Sequence, residues 1–74
     1  MVHYVVSTVP SIVVGWDERT CEFWMETDRR VVRAPDLASI YFWVRVEGAR
    51  IPVSTTEALL LDRRRTLEAV EVAA

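Results

Sequence analysis

The side chains best suited to chemistry in this chain are aromatic and charged, and the chemistry they suit is recognition. Trp24, Tyr41 and Trp43 carry large rings with a polar tip, and Glu22, Glu26 and Arg45 fall beside them on the strand phases argued below. Rings of this kind anchor protein interfaces, and the charges around them select the partner. Catalytic sets are thinner. Cys21 is the sole cysteine and His3 the sole histidine, so a thiol–imidazole pair would require these two to meet across the fold. A free cysteine more commonly packs as a small hydrophobe. Asp17 and Glu18 adjoin at a turn, where Asp bonds turn amides and neither carboxyl gains the apolar surroundings of a general acid. Gly15 and Gly48 are the only glycines, too few for a phosphate loop. A four-cysteine zinc site is excluded, and His3 cannot rescue a mixed one. No catalytic residue, metal or cofactor is expected.

The arginines are the second resource. Arg63, Arg64 and Arg65 occupy one helical turn and could hold phosphate or a carboxylate-rich partner. The plainer reading is a solvated helix surface, with Arg64 paired to Glu68 four residues on and Asp62 and Glu71 diluting the field. Arg29, Arg30 and Arg33 would join that patch only if the fold brought them together. Otherwise they serve solubility and protect a strand edge.

The elements that must position these groups start with a hairpin over residues 12–26. Strands send alternate side chains to opposite faces. With a four-residue turn at Asp17–Thr20, Trp16 opposes Cys21, Val14 opposes Phe23, and Ile12 opposes Met25, all on one apolar face. Val13, Gly15, Glu22, Trp24 and Glu26 fall on the other. A slip of one residue would mix Glu22 and Glu26 into the apolar set, so the pattern specifies the pairing. Gly15 marks a bulge or lets Trp24 lie across the backbone.

His3 to Val9 is rich in β-branched residues and reads as a first strand. Val31 to Ala34 suits a short strand or extended loop. Asp36 could cap a helix carrying Leu37, Ile40, Tyr41 and Val44, but Ile40–Val46 reads better as a strand, with Tyr41, Trp43 and Arg45 on its outer side. Glu47-Gly48 then turns the chain into a short edge strand, Ala49–Val53, limited by Pro52. Ser54 and Glu57 form a capping box for a helix from about Thr55 to about Val70. Leu59, Leu60, Thr66, Leu67 and Val70 share its broad stripe. The alternative ends that helix near Arg65 and makes Thr66–Val72 a strand. The expected fold is α+β, one domain over residues 1–74: an antiparallel meander of four to five strands with one C-terminal helix packed on one face.

A chain of 74 residues buries only about 60% of its unfolded surface, so self-association or a partner is the economical source of further burial. Net charge is −2 and all nine basic residues are arginine, a balance unlike that of general nucleic-acid binders. No apolar run is long enough for a membrane span, and the first residues lack signal-peptide character. With a lone thiol, that fits a cytoplasmic protein. The absence of Lys, Asn and Gln suits a GC-rich bacterial or phage genome.

Gly15-Trp16-Asp17 followed by Phe23-Trp24 resembles the Gly-Trp-Asp…Phe-Phe hairpin of small uncharacterised bacterial proteins. Ile51-Pro52-Val53-Ser54-Thr55-Thr56-Glu57-Ala58-Leu59 is similar to the Ile-Pro-Thr-Val-Glu-x-Leu helix start of the same proteins. The resemblance covers residues 12–26 and 51–60 and departs at Cys21, Trp24 and the middle segment. It implies a hairpin and a helix, and no activity.

Two functional classes follow. The first is a small non-catalytic protein-binding module, with the profile of phage or mobile-element inhibitors such as anti-CRISPR proteins, using Trp24, Tyr41, Trp43, Glu22, Glu26 and Arg45. The second is a nucleic-acid binder that stacks bases on sheet aromatics, opposed by the glutamates on that face. An enzyme is the third and weakest reading.

Overall fold

The computed structural model describes residues 2–73. Four strands form one antiparallel sheet in sequence order: β1 (His3–Thr8), β2 (Ser11–Asp17), β3 (Glu22–Thr27) and β4 (Val31–Ala34). Two helices follow, α1 (Leu37–Val46) and α2 (Val53–Ala73). The α+β class and the meander are as the sequence suggests. Neither Ile40–Val46 nor the expected edge strand Ala49–Val53 joins the sheet: the first lies in α1, and residues 49–52 carry no regular element before Val53 opens α2, so two helices follow where one was expected.

Period-2 patterning sets the inner face. Tyr4, Val14, Met25 and Val32 form one cross-strand row, and Trp16, Phe23 and Ala34 another. Ile12, Val14, Trp16, Phe23, Met25 and Ala34 pack with Ile40, Val44, Ile51 and Leu59 into one core. Each fully buried aliphatic side chain there stabilises the fold by roughly 1.5–3 kcal/mol. Trp16 meets Phe23 edge to face, ring centroids 4.7 Å apart.

The hairpin register differs from expectation by two residues. Trp16 pairs with Phe23, Val14 with Met25, and Ile12 with Thr27. An even shift keeps every face, so the apolar set stays inward. Cys21 is the exception: it leaves the strand for the turn, at φ 56°, and is exposed. The turn is tightened by Asp17, whose carboxylate accepts from the Arg19 amide at 2.9 Å.

The Ile40–Val46 segment is helical, which corrects the strand favoured for it. Asp36 caps the N-terminus, accepting from the Ser39 amide at 2.9 Å and the Ser39 hydroxyl at 2.8 Å. Gly48, at φ 87°, closes the C-terminus: its amide donates to the Arg45 carbonyl at 2.9 Å, and the Ala49 amide to the Val44 carbonyl at 3.1 Å. That left-handed closure takes a glycine after the last helical turn. Ile40 and Val44, four residues apart, are both fully buried, while Phe42 is 60% exposed. Alternation would have buried Phe42, so the helical period wins.

Helix α2 starts at Val53, so Ser54 lies inside the first turn instead of capping it, and the Pro52 carbonyl accepts from the Thr56 amide at 3.0 Å. The helix continues through Thr66–Val72, which excludes a strand there. Its 21 residues span about 31 Å at 1.5 Å each, most of the 42 Å long axis of a body only 22 × 20 Å across.

Candidate functional site

The outer sheet face carries two rows. His3, Gly15, Trp24 and Arg33 lie directly across from one another, and Val5, Val13, Glu26 and Val31 form the next row. Trp24 does not stand up from this face. A Cβ placed on Gly15 would sit 2.6 Å from Trp24 Cε2, so the indole lies flat on the glycine and is only 8% exposed. Its Nε1 is buried without a hydrogen-bond partner. A shallow depression of about 260 Å³ beside it is lined by His3, Ser11, Val13, Trp24, Glu26, Thr27 and Asp28.

Tyr41 and Trp43 sit elsewhere, which removes the aromatic face expected from strand phases. Both lie on α1 and pack partly against the core. The Tyr41 hydroxyl shares a hydrogen bond with the Thr56 hydroxyl, tying α1 to α2. Trp43 holds the Arg30 guanidinium 4.8 Å from its ring centroid, a cation–π contact. Arg45 is exposed in the last turn of α1, where its charge complements the helix terminus. Glu22 is on the outer face, 3.5 Å from Arg33, and Glu26 is exposed beside Trp24. The base-stacking platform of the nucleic-acid reading is therefore not assembled.

Two ionic clasps use Arg33 of β4 and Arg29 and Arg30 of the β3–β4 turn. Arg33 pairs with Asp17 and Glu22 and donates to the Thr20 hydroxyl at 3.2 Å. The Arg19 amide, and then the Arg33 guanidinium, hold the Asp17 carboxyl below the usual carboxylate range. Arg29 and Arg30 both reach Glu47, at 3.1 and 3.0 Å, and its side chain is only 2% exposed. The Arg30 contact is close but off the hydrogen-bond axis, so its attraction is chiefly electrostatic. The first clasp ties β4 to the β2–β3 hairpin, and the second ties the β3–β4 turn to the end of α1. Arg64 pairs with Glu68 at 3.5 Å, as the spacing suggests.

Helix α2 is fastened to the sheet on one side only. Leu59 is fully buried. The Tyr4 hydroxyl donates to Asp62 at 2.7 Å, and Trp16 Nε1 donates to the Thr66 hydroxyl at 2.8 Å. Beyond Thr66, every residue from Leu67 to Val72 is exposed. A groove of about 580 Å³ runs between this exposed end and the β2–β3 turn, with Trp16, Thr66 and Ala69 on its walls and Arg19, Glu18, Asp62 and Arg65 around them. The broad stripe read from sequence divides in two. Leu59 and Thr66 face the sheet, whereas Leu60 (46%), Leu67 (45%) and Val70 (60%) are exposed.

That exposed face is not separable from the buried one in the sequence alone. Leu60, Arg64, Leu67 and Glu71 follow at intervals of four, three and four, a visible signal that merged with the buried stripe beside it. Among the described residues, no group of three or more His, Cys, Asp and Glu is placed to hold a metal ion, and no helix is long and apolar enough to cross a membrane. Comparison of the chain with protein-family models, with curated proteins and with solved structures gives no match.

Proposed function

We propose that this chain is a small protein-binding module that presents α2 to another protein. The observation that carries the reading is the far end of the helix: Leu67, Val70 and Val72 are exposed there, beyond Thr66, whose hydroxyl bonds Trp16 of the sheet. Isolated helical turns are marginal in water, because nucleation is costly and packing normally supplies the stability. A helix end with exposed apolar side chains gains most when a second surface covers it. The core is complete without it, so that end is free to serve a partner. Small size and the net charge of −2 suit an inhibitor that masks part of a larger protein, and the exposed Cys21 thiol suits a reducing compartment.

A photo-crosslinking residue at position 67, introduced in the native host, tests the reading. It should give a discrete protein adduct, lost in a chain that also carries Val70→Glu. The same probe at Val9, which is 91% exposed in the β1–β2 turn, should give none. No protein adduct from position 67, or equal adducts from both positions, would sink the proposal.

A further inference from the structure

We infer that this chain dimerises by strand addition: β1 of one copy pairs antiparallel with β1 of a second about a twofold axis at Tyr4. The inference goes beyond the role proposed for α2 and does not use that surface. The sheet runs β1-β2-β3-β4, so β1 is an edge. Among the described residues its backbone pairs only with β2. The N–H and C=O groups along its other side form a row that another extended strand satisfies. Backbone chemistry thus sets the class of occupant.

The two edges of the sheet are not alike. Proteins blunt a free edge with a short strand, charge, proline or a bulge. Strand β4 has the first three: it is four residues long, contains Arg33 and is followed by Pro35. Strand β1 has six residues and holds no Arg, Asp, Glu or Pro. Its one irregularity is the register shift between Val5 and Ser7, which leaves residues 3–5 in regular pairing with β2. Val2, beside Trp16 in the groove, is 61% exposed, and Val5 on the outer face is 59% exposed.

Self-complementarity makes the occupant a second copy. A twofold axis through Tyr4, perpendicular to the sheet, sets Tyr4 against its own equivalent, His3 against Val5 and Val2 against Val6. Each opposed pair differs by an even step, so its members share a face and the inner apolar faces become continuous. Tyr4 and Val6 already pack partly against the core. Aromatic and β-branched residues set opposite one another stabilise antiparallel neighbours. No like charges are opposed, and the charged groups that act on the Tyr4 hydroxyl, Asp62 and Arg65, are of opposite sign. Helix α2 bears on β2 more than on β1, so it stands back from the axis. The contact is isologous and closes at two copies.

Sedimentation equilibrium and amide exchange of the purified chain, from micromolar to millimolar concentration, test this, with circular dichroism to establish that each variant is folded. The parent should reach twice its 8.5 kDa mass and no more. Exchange should slow with concentration within residues 2–6 and stay unchanged within Val31–Ala34. Val5→Lys places the charge that edges normally carry and should weaken the dimer about tenfold or more. Leu67→Glu, on α2, should dimerise as the parent does. A parent that stays monomeric at the highest concentration overturns the inference. So does assembly beyond two copies, a dimer whose slowed exchange falls on α2 or β4 instead of β1, or a folded Val5→Lys variant that dimerises as tightly as the parent.

Discussion

The indole of Trp24 lies against Gly15, the residue paired with it across β2 and β3. The glycine supplies the flat floor that lets a tryptophan on the sheet's outer face become 92% covered without any helix above it, its exposure being only 8%. Glycine normally weakens a strand, since it has no side chain to pack. Here the absent side chain is the packing site.

Gly15→Ala should therefore destabilise the protein, although alanine is the better strand residue. The added methyl would stand 2.6 Å from Cε2 of the ring, and the indole must lift or the strands must part. Overpacking of this kind costs about 1–3 kcal/mol. In a Trp24→Leu background the same substitution should cost less than half as much, because the floor no longer carries a ring. Urea unfolding of the four proteins in this cycle measures the coupling. Additive losses would show that the ring does not depend on the glycine.

Gly48 makes a different demand. Nothing lies within 4 Å of a Cβ placed there, so space is not at issue, but φ is +87°. Gly48→Ala should cost about 1–2 kcal/mol through the left-handed backbone alone. Gly48→Asn should cost less, since asparagine tolerates that region. Denaturant midpoints decide the order; an alanine variant as stable as the parent would mean that α1 does not end on this turn.

Much of this architecture was legible because strands announce themselves by parity. Ile12, Val14, Trp16, Phe23 and Met25 share a face in any register shifted by an even number, so the inner face survived a two-residue error in the pairing. Cys21 was misplaced because parity says nothing about where a turn begins. Ile40–Val46 was misread because β-branched and aromatic types fit both periods. Asp36, with Ser39 behind it, and Gly48 past the far end were the deciding signals, and they act through backbone hydrogen bonds instead of side-chain pattern. The exposed face of α2 was hidden for another reason. Leu59 and Leu60 are neighbours in sequence but face different ways, and only a docked sheet shows which of them is buried.

The pH profile should be bounded on both sides. Hydrogen bonding to Asp62, then burial, raises the Tyr4 phenol above its ordinary 10.0. A raised folded-state value gives stability that is complete below the unfolded value and lost as pH climbs through the folded one. Asp17 and Asp36 are held below 3.8, the first by the Arg19 amide and the second by the Ser39 hydroxyl and amide. Their contributions are present above that value and vanish as pH falls through the lowered ones. The melting temperature should therefore decline above about pH 10 and below about pH 4. Tyr4→Phe should flatten the alkaline limb, and Asp36→Asn the acidic one; unchanged limbs in both variants would contradict these assignments.

Thr66 fixes how much of α2 belongs to the body and how much stands exposed. Its hydroxyl accepts from Trp16 Nε1 at 2.8 Å and donates to the Asp62 carbonyl at 3.2 Å, so both capacities are used. Trp16 is only 7% exposed, and Thr66→Val keeps the shape while leaving its N–H without an acceptor. An orphaned donor of this kind costs about 1–3 kcal/mol. The loss should be local in its consequence. Leu59 still anchors the first half of the helix, so amide exchange should quicken from Thr66 to Val72 and change little from Glu57 to Leu61. Thr66→Ser restores the hydroxyl and should restore the slow exchange. Uniform quickening along α2 would mean that Leu59 and Thr66 act as one fastening, and the loosely held end would then begin nearer the middle of the helix.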